Sequence, residues 1–509
     1  MSSRLAVAAS SSLAAAAGAA MAEAGGNAVD AALAAILVAV NTEPGICSLA
    51  CGGYLTVKRP GRDALTLDGY VAVPGRGLRR PAGERLAIPV HLEYGGGVDT
   101  VIGPDTVGVP GAVALFGEAS REYGRVPWPV LFEPVIDCTR RGFPLPPASY
   151  HYLEYSAEPI FCRSEDGRTA LCHPDGRLKE AGETVVVPHL ADTLNRIARN
   201  GPDEFYTGEL GRGIAAHVQA AGGRLSEADL AAYEVLPRPS LKTAVAGWEV
   251  ASNPPPAIGG AVLSAMLQLL SREPIRDWDR AALARLVDTQ RAVLDYRRRR
   301  LDDSDSLEAD ARALLRAALR GELPRAGESS ATCHVSAVDA DGLACSVTVS
   351  AGYGSGDMAP GTGIWLNNSL GELELNKRGL EPAPPGSRLR SNMAPTVAWR
   401  DGELLAIGSP GADRITTAIL QVLVNHLVLG QALQQAVDAP RAHVEFTDDG
   451  WRVAHEPGLA IDELGVPARP FPSPSMFFGG VGAAAWHPAR GFSVAADPRR
   501  SGGTWHSDG

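Results

Sequence analysis

The sequence has little charge and no long apolar run, and each shortage excludes a class of protein. Charged residues make up 21% of the 509 residues, and the formal net charge is −11. The basic run Arg297 to Arg300 is followed at once by acidic residues, so the basic face that phosphate contacts need is not expected. The apolar run Ala31 to Val40 is shorter than the ~20 residues that span a bilayer. We therefore predict partners other than nucleic acid or membrane.

Cysteine is also scarce, which bears on compartment and on metals. Seven cysteines without a CxxC pair are typical of a reducing compartment rather than of a disulfide framework. Cys47 and Cys51 lie in a Gly-rich turn, where we predict core thiols rather than metal ligands. The Ala-rich start resembles a signal peptide, but it lacks a Leu-rich segment and runs into a capped helix. We predict a cytoplasmic protein without metal or cofactor.

Apolar residues are plentiful, and their pattern predicts helices over the first two thirds of the chain. Ser10 to Ala24 is helical in pattern, and Asn27 with Asp30 is typical of the start of a second helix. That second helix is apolar on every side from residue 28 to residue 40, which predicts burial. Residues 110–320 predict a mainly helical layer, which ends in an amphipathic helix from Leu307 to Gly321.

The pattern changes after the loop LPRAGESSA, residues 323–331. CHVSAVD and LACSVTVS alternate with period two around a turn, which predicts a β-hairpin whose first strand begins at Thr332. GIWLNN, TVAWRDG and ELLAIG predict further strands, and a helix from Arg414 to Val428 should follow the turn SPGAD. Strands packed between helical layers predict an α/β sandwich.

Common catalytic signatures are absent, but four segments together carry a family resemblance. GxxxxGK[ST], HExxH and GxSxG do not occur, and GYGSGDM at Gly352 lacks the third glycine of a dinucleotide fingerprint. EAGGNAVDAALAA, ESSATCHVSAVDADG, PGTGIWLNN and SNMAPTVAWRDGELLAIGSPGADRITTAILQVLVNHL, in this order, resemble the signatures of the γ-glutamyltranspeptidase family; DAPRAHVE and the terminal DPRR add to them. The resemblance covers nearly the whole chain. It implies an α/β fold, a four-layer αββα sandwich of the N-terminal-nucleophile hydrolase type.

The resemblance further implies a precursor that cuts itself between Ala331 and Thr332. A large subunit, residues 1–331, and a small subunit, residues 332–509, would then stay associated as one folded unit; a homo-oligomer of such heterodimers is left open. Thr332 opens the family's T-x-H-x-S motif and would be the nucleophile. A threonine hydroxyl is weak until a base takes its proton, and cleavage creates an α-amine with a pKa of ~7.7–8.0 on the same residue.

Three more positions complete the implied catalytic machinery. Ser350 aligns with a family threonine that hydrogen-bonds the amine of the nucleophile. Gly411 and Ala412, where the family usually has two glycines, would donate backbone N–H groups to the oxyanion. The change from Gly to Ala is tolerated if φ stays negative.

The positions that recognise the acyl group depart from the family. Tyr70 replaces the arginine that holds the α-carboxylate of glutamate, and a phenol offers one neutral hydrogen bond instead of a charged bidentate pair. The remaining substrate-binding positions correspond to Gly352, Ser369, Glu372, Ser391 and Asn392, of which Ser391 and the acid Glu372 keep the family's residue type. Arg76, Arg390 or Arg414 are alternative anion contacts. The segment from Glu372 to Ser391 is short, so any covering lid should be reduced.

Three functions therefore stay open, all with a small molecule as ligand. The resemblance implies an acyl-enzyme reaction on a γ-glutamyl or related acyl compound. A specialised relative would cleave another acyl group, or a carbon–carbon bond next to a carbonyl, as in family branches that serve 4-alkylproline antibiotic biosynthesis. An inactive relative would bind its ligand without turnover.

Overall fold

The structure, a computed structural model, describes residues 3–78, 86–93, 97–322, 332–447 and 449–507, and its centre is two antiparallel sheets. The seven-stranded sheet has the order β22-β1-β11-β12-β2-β3-β8. Its strands are β1 (Leu5–Ala9), β2 (Gly52–Lys58), β3 (Leu65–Gly69), β8 (Leu236–Pro239), β11 (Cys333–Asp339), β12 (Ala344–Ser350) and β22 (Gly503–His506). The strands of this sheet thus come from both sides of the predicted cleavage position.

The six-stranded sheet has the order β21-β20-β16-β15-β10-β9. Its strands are β9 (Leu241–Val245), β10 (Trp248–Ser252), β15 (Thr396–Arg400), β16 (Glu403–Gly408), β20 (Gly482–His487) and β21 (Gly491–Ala496). Smaller sheets pair β4 (Ile88–Leu92) with β5 (Val98–Ile102), β6 (Phe143–Pro144) with β7 (Thr184–Val185), β13 (Met358–Ala359) with β14 (Ile364–Trp365), and β17 (Ala442–Thr447) with β18 (Gly450–His455) and β19 (Ala468–Pro470).

Helices cover both outer faces, which makes a four-layer αββα sandwich and confirms the predicted fold class. The first core cluster joins the seven-stranded sheet to α1 (Ser12–Glu23), α2 (Ala28–Thr42), α3 (Ala112–Tyr123), α4 (Trp128–Arg141), α5 (Pro147–Ser156), α6 (Glu165–Leu171), α7 (Leu190–Asn200), α8 (Asp203–Tyr206), α9 (Glu209–Ala220) and α10 (Glu227–Ala231). The second joins the six-stranded sheet to α11 (Gly259–Leu270), α12 (Arg280–Tyr296), α13 (Leu307–Arg320), α14 (Arg414–Leu423) and α15 (Leu433–Asp438). A smaller cluster lies between the sheets.

The start of α2 shows why the sequence places a buried helix there. The Asn27 side chain accepts hydrogen bonds from the N–H groups of Val29 and Asp30, and the Asp30 carboxylate accepts one from the Asn27 N–H. This capping box satisfies N–H groups that would otherwise be buried without partners. Every residue of α2 is buried, as predicted. Cys47 and Cys51 are buried free thiols, also as predicted.

The β11–β12 hairpin is confirmed, with one correction. Cys333 pairs with Val349, and the first strand begins at Cys333 rather than at Thr332. The loop at residues 323–331 lies outside the described residues. Within the described ranges no helix has both the length and the apolarity needed to cross a bilayer, and no three His, Cys, Asp or Glu side chains lie together as a metal site would need.

Candidate active site

Thr332 and Ser350 lie at the same end of the hairpin. Because Cys333 pairs with Val349, the register places Thr332 beside Ser350, the last residue of β12. Both residues are buried, and the Ser350 hydroxyl accepts a hydrogen bond of 3.2 Å from the Gly352 N–H. Thr332, the predicted nucleophile, therefore lies next to Ser350, its predicted hydroxyl partner. Ala331 lies outside the described residues, so the cleavage position stays a prediction.

A carboxyl group that the sequence analysis did not single out lies behind the nucleophile. The Cys333 thiol points to the Glu43 carboxylate, with 3.7 Å between Sγ and Oε2, and the Ser10 hydroxyl donates to the other carboxylate oxygen. Burial raises the pKa of Glu43 to about 6, and the hydrogen bond from Ser10 opposes this shift. The residue next to Thr332 is thus coupled to an acid that titrates near neutral pH.

His334 holds the two sheets together beneath Thr332. Its Nε2 lies 2.7 Å from the Ser336 hydroxyl, and that hydroxyl donates to the Gly482 carbonyl of the other sheet. Nε2 therefore carries the proton, and Nδ1 accepts from the Thr348 hydroxyl at 2.8 Å. A Cβ at Gly408 would lie 2.3 Å from the ring, so only glycine leaves room for the imidazole. His334 is a structural residue of the T-x-H-x-S motif.

We expect His334 to make the folded protein sensitive to acid. Burial lowers its pKa to about 3, whereas an unfolded chain takes up this proton below pH ~6.5. Stability is therefore unaffected by His334 above pH 6.5 and falls by about 1.4 kcal/mol per unit as the pH is lowered towards 3. The free energy of unfolding of the uncleaved chain, measured with urea, should fall between pH 7 and pH 5. This fall should be about 2 kcal/mol smaller in His334→Gln than in the parent. An exposed control, His506→Gln, should keep the parent's loss; equal losses in all three would contradict this role.

The SPGAD turn follows the strand that contacts His334. Gly411 has φ 125°, and a Cβ there would lie 2.7 Å from the Gly479 Cα, so the position requires glycine. Ala412 has φ 63°, so the condition of a negative φ is not met, and the alanine lies in the left-handed region. The carbonyls of Gly411 and Ala412 accept from the first turn of α14, while their N–H groups donate to no other described residue. Two backbone donors are therefore available beside a helix N-terminus.

Replacing Ala412 by glycine tests whether the left-handed alanine is tolerated. Relief of the positive φ should contribute roughly 1–2 kcal/mol. The loss of a buried methyl group costs ~0.8 kcal/mol and the greater freedom of unfolded glycine ~0.5–1 kcal/mol. We expect Ala412→Gly to change the free energy of unfolding by less than about 0.5 kcal/mol and to keep kcat within about twofold. Ala412→Val, with a branched side chain at positive φ, should destabilise clearly; equal stability of the two variants would contradict the observed backbone.

Four of the six predicted substrate-binding residues come together around the Tyr70 hydroxyl. Burial raises the pKa of this phenol well above its ordinary value, the nearby Glu372 carboxylate raises it further, and the hydroxyls of Ser391 and Ser369 oppose the shift. The ring stacks on Tyr54 with 5.5 Å between centroids. Tyr70 is therefore a neutral, immobilised phenol inside the pocket.

The other two predicted positions border this pocket. Gly352 has φ 64°, and a Cβ there would lie 2.2 Å from Asn368 Oδ1 and 3.2 Å from the Glu372 side chain. A larger side chain such as asparagine has no room at this position. The Asn392 amide lies 3.4 Å from a carboxylate oxygen of Asp413, the residue after Ala412.

Of the three arginines considered as alternative anion contacts, one is exposed and two bond other groups. Arg76 is exposed, and Arg390 donates to the backbone carbonyls of Asp302 and Ser304. Arg414 donates to the Phe477 carbonyl at 3.0 Å, and its guanidinium lies 4.6 Å from the centre of that ring. Judged by the contacts among the described residues, none of them therefore takes the place of the carboxylate-binding arginine of the family.

Two further features of the site were missed from the sequence. Arg297 is buried and bonds Asp302 and Asp413 at 2.9 Å each, which fixes the end of the SPGAD turn. Its signal was available, because residue 297 continues the buried face of α12 at helical spacing. The second feature is Glu374, whose carboxylate accepts from the Tyr353 hydroxyl at 2.6 Å. Leu373 is partly exposed, and nothing in the local pattern distinguishes Glu374 from a surface acid.

Comparisons with known proteins agree with this geometry. The family described as gamma-glutamyltranspeptidase matches residues 14–506. The chain is 29% identical over 476 residues to a glutathione hydrolase proenzyme of Escherichia coli, covering 86% of this chain and 80% of the relative. It is 29% identical over 458 residues to an acylase ACY 1 proenzyme of a Pseudomonas species, covering 82% and 78%. A cephalosporin acylase structure from Bacillus halodurans superposes with TM-score 0.78 at 25% identity and covers 100% of this chain and 96% of that one.

Proposed function

Because the chain belongs to the gamma-glutamyltranspeptidase family and is an N-terminal-nucleophile hydrolase, we propose that it cuts itself before Thr332 and turns over a small acyl compound through an acyl-enzyme. The large and small subunits, residues 1–331 and 332–509, then form one active unit. Support comes from both sheets, since each combines strands from before and after residue 332.

The proposed reaction uses groups that surround the hairpin end. The Thr332 hydroxyl oxygen attacks the acyl carbonyl carbon, and the α-amine of Thr332 takes the hydroxyl proton. The N–H groups of Gly411 and Ala412 hold the oxyanion, and Ser350 orients the amine. The bond to the leaving group breaks as the amine returns the proton to it. Water or an amine acceptor then attacks the ester and releases the acyl group.

One observation directs the substrate away from an ordinary γ-glutamyl group. The position of the carboxylate-binding arginine is filled by Tyr70, a neutral phenol beside the Glu372 carboxylate. Among the described residues, a substrate α-carboxylate placed there meets an anion and no partner cation, which is costly in a buried pocket. We therefore favour a related acyl group over γ-glutamyl. The same observation supports the second candidate, cleavage of a carbon–carbon bond next to a carbonyl by the same nucleophile.

We expect poor turnover of γ-glutamyl p-nitroanilide and of glutathione. Loss of the charged bidentate contact should cost several kcal/mol where the carboxylate is desolvated. Parent kcat/KM should lie well below the ~10⁴ M⁻¹s⁻¹ at the lower end of ordinary enzymes. Tyr70→Arg should recover part of the activity only if the rest of the pocket admits glutamate; Tyr54→Phe, which keeps the aromatic stack, is the matched control.

The outcomes of this experiment separate the candidate functions. A parent value of ~10⁴ M⁻¹s⁻¹ or above would contradict the proposal and show ordinary γ-glutamyl transfer or hydrolysis. Denaturing electrophoresis of the purified chain tests the inactive binding relative, because a live nucleophile should yield two fragments divided at Thr332. One intact chain after prolonged incubation would favour binding without turnover.

A further inference from the structure

The acyl pocket contains a second carboxylate that the proposed reaction does not use. Tyr353 follows Gly352, and its hydroxyl donates to Glu374 Oε1 at 2.6 Å. The other oxygen, Oε2, is buried and has no hydrogen-bond partner within the described ranges. A buried acceptor without a partner is costly, which points to a donor supplied by a ligand.

Glu372 and Glu374 act on the same two phenols. Burial raises the pKa of Tyr70 and of Tyr353, and both carboxylates raise these pKa values further. Glu374 itself is held back from ionising, because burial raises its pKa to about 7. The Tyr353 hydroxyl opposes that shift. The walls of the pocket are thus acidic and phenolic.

The charges behind Glu374 leave this acidic character uncompensated. Asp413 raises the pKa of Glu374 and Arg297 lowers it. The Arg297 guanidinium, however, already bonds both Asp302 and Asp413. A phenol stands where the family has its arginine. Among the described residues, the pocket therefore has no cation that could pair with an anionic ligand.

We infer that this pocket selects an acyl group that carries an ammonium group and no carboxylate, and that Glu374 is a specificity-determining residue beside Glu372. The inference rests on the proposed acyl-enzyme function. An ammonium group has three donors, enough for Glu372 Oε1 or Oε2 and for the buried Oε2 of Glu374. A carboxylate in the same place would be buried against two acids.

Four p-nitroanilides that share the butyryl carbon chain test the inference, and the first of them is the γ-glutamyl anilide. Removing the carboxylate from the γ-glutamyl group gives 4-aminobutyryl, removing the amine gives glutaryl, and removing both gives butyryl. We expect kcat/KM for the 4-aminobutyryl anilide to exceed that for butyryl by at least tenfold, and glutaryl to fall below butyryl. The inference would be overturned if kcat/KM for the glutaryl anilide equalled that for the 4-aminobutyryl anilide. It would also be overturned if the enzyme showed no preference for 4-aminobutyryl over butyryl.

The variant Glu374→Gln separates specificity from general damage. It should lower the preference for 4-aminobutyryl over butyryl by about tenfold, mainly through a higher KM for the 4-aminobutyryl anilide. The exposed control Glu463→Gln should keep both the preference and the butyryl turnover of the parent. In the parent the preference should rise as pH increases through about 7, where Glu374 ionises, and this rise should be absent in Glu374→Gln. An unchanged preference in Glu374→Gln would remove the residue from the inference.

Intact mass spectrometry of the acylated small subunit distinguishes failure of the inference from failure of the proposed function. If butyryl or glutaryl adds to the small subunit and 4-aminobutyryl does not, the acyl-enzyme function stands and the inference fails. If no anilide acylates the protein, calorimetry with 4-aminobutyramide and glutaric acid monoamide decides: preferential binding of the amine supports the pocket assignment without turnover. Binding of the acid, or of neither, overturns it.

Discussion

Thr332→Ala is expected to leave a single uncut chain without acyl-transfer or hydrolytic activity. The substitution removes the hydroxyl that both self-cleavage and turnover require. Among the described residues, no other hydroxyl lies beside Ser350 at the hairpin end on a residue whose α-amine would be freed by cleavage. Denaturing electrophoresis and intact mass should show one species where the parent gives fragments 1–331 and 332–509. Loss of activity should be complete within detection, far beyond the effect of removing one oxyanion donor.

Two companions make this result specific. Thr332→Ser keeps a hydroxyl and should retain some processing. Thr362→Ala removes a hydroxyl that donates to the Ala359 carbonyl and accepts from the Ile364 N–H, and this variant should process like the parent. Fragments that still appear in Thr332→Ala would exclude Thr332 as the cleaving group. A cut that begins at another residue, shown by N-terminal sequencing, would exclude the assigned position even if the chain is processed.

The elements that sequence pattern predicted well are those with a strong local signal. The capping box at Asn27 and the all-round apolar α2 were readable because their contacts lie within a few residues. The strand β1 was missed, because LAVAA is buried on both faces and shows no alternation. Residues 110–320 were predicted as a helical layer, yet β9 and β10 from this stretch belong to the six-stranded sheet. A layer assignment needs long-range pairing that local pattern does not contain.

The site divides in the same way. The family resemblance supplied the nucleophile and the pocket positions, and the structure brings Tyr70, Glu372 and Ser391 together. The positive φ of Ala412 leaves no local signal in the sequence, and the neighbouring Gly411 packs against Gly479, 68 residues further on. Arg297 and Asp413 meet across 116 residues. Such contacts are consequences of tertiary structure and leave no short motif.

Gly411→Ala is expected to lower kcat by roughly 10²–10³-fold, the usual effect of losing one oxyanion donor. The new Cβ would lie 2.7 Å from the Gly479 Cα, a backbone atom that has no flexible side chain to move aside. The turn must therefore shift, and with it the N–H groups of residues 411 and 412. KM should change much less, because these donors act on the charge that develops in the transition state.

Gly430→Ala is the matched control, since Gly430 also has positive φ, 69°, but has no atom within 4 Å of the added Cβ. Both variants carry an alanine in a strained backbone conformation, so a loss of activity confined to Gly411→Ala isolates the displacement of the turn. The measurement is steady-state kinetics on fully processed protein, with the fraction of cut chain determined by electrophoresis for each variant. Equal kcat in Gly411→Ala and Gly430→Ala would exclude the SPGAD turn as the oxyanion site. A drop in kcat/KM that comes entirely from KM would instead assign the turn to substrate binding.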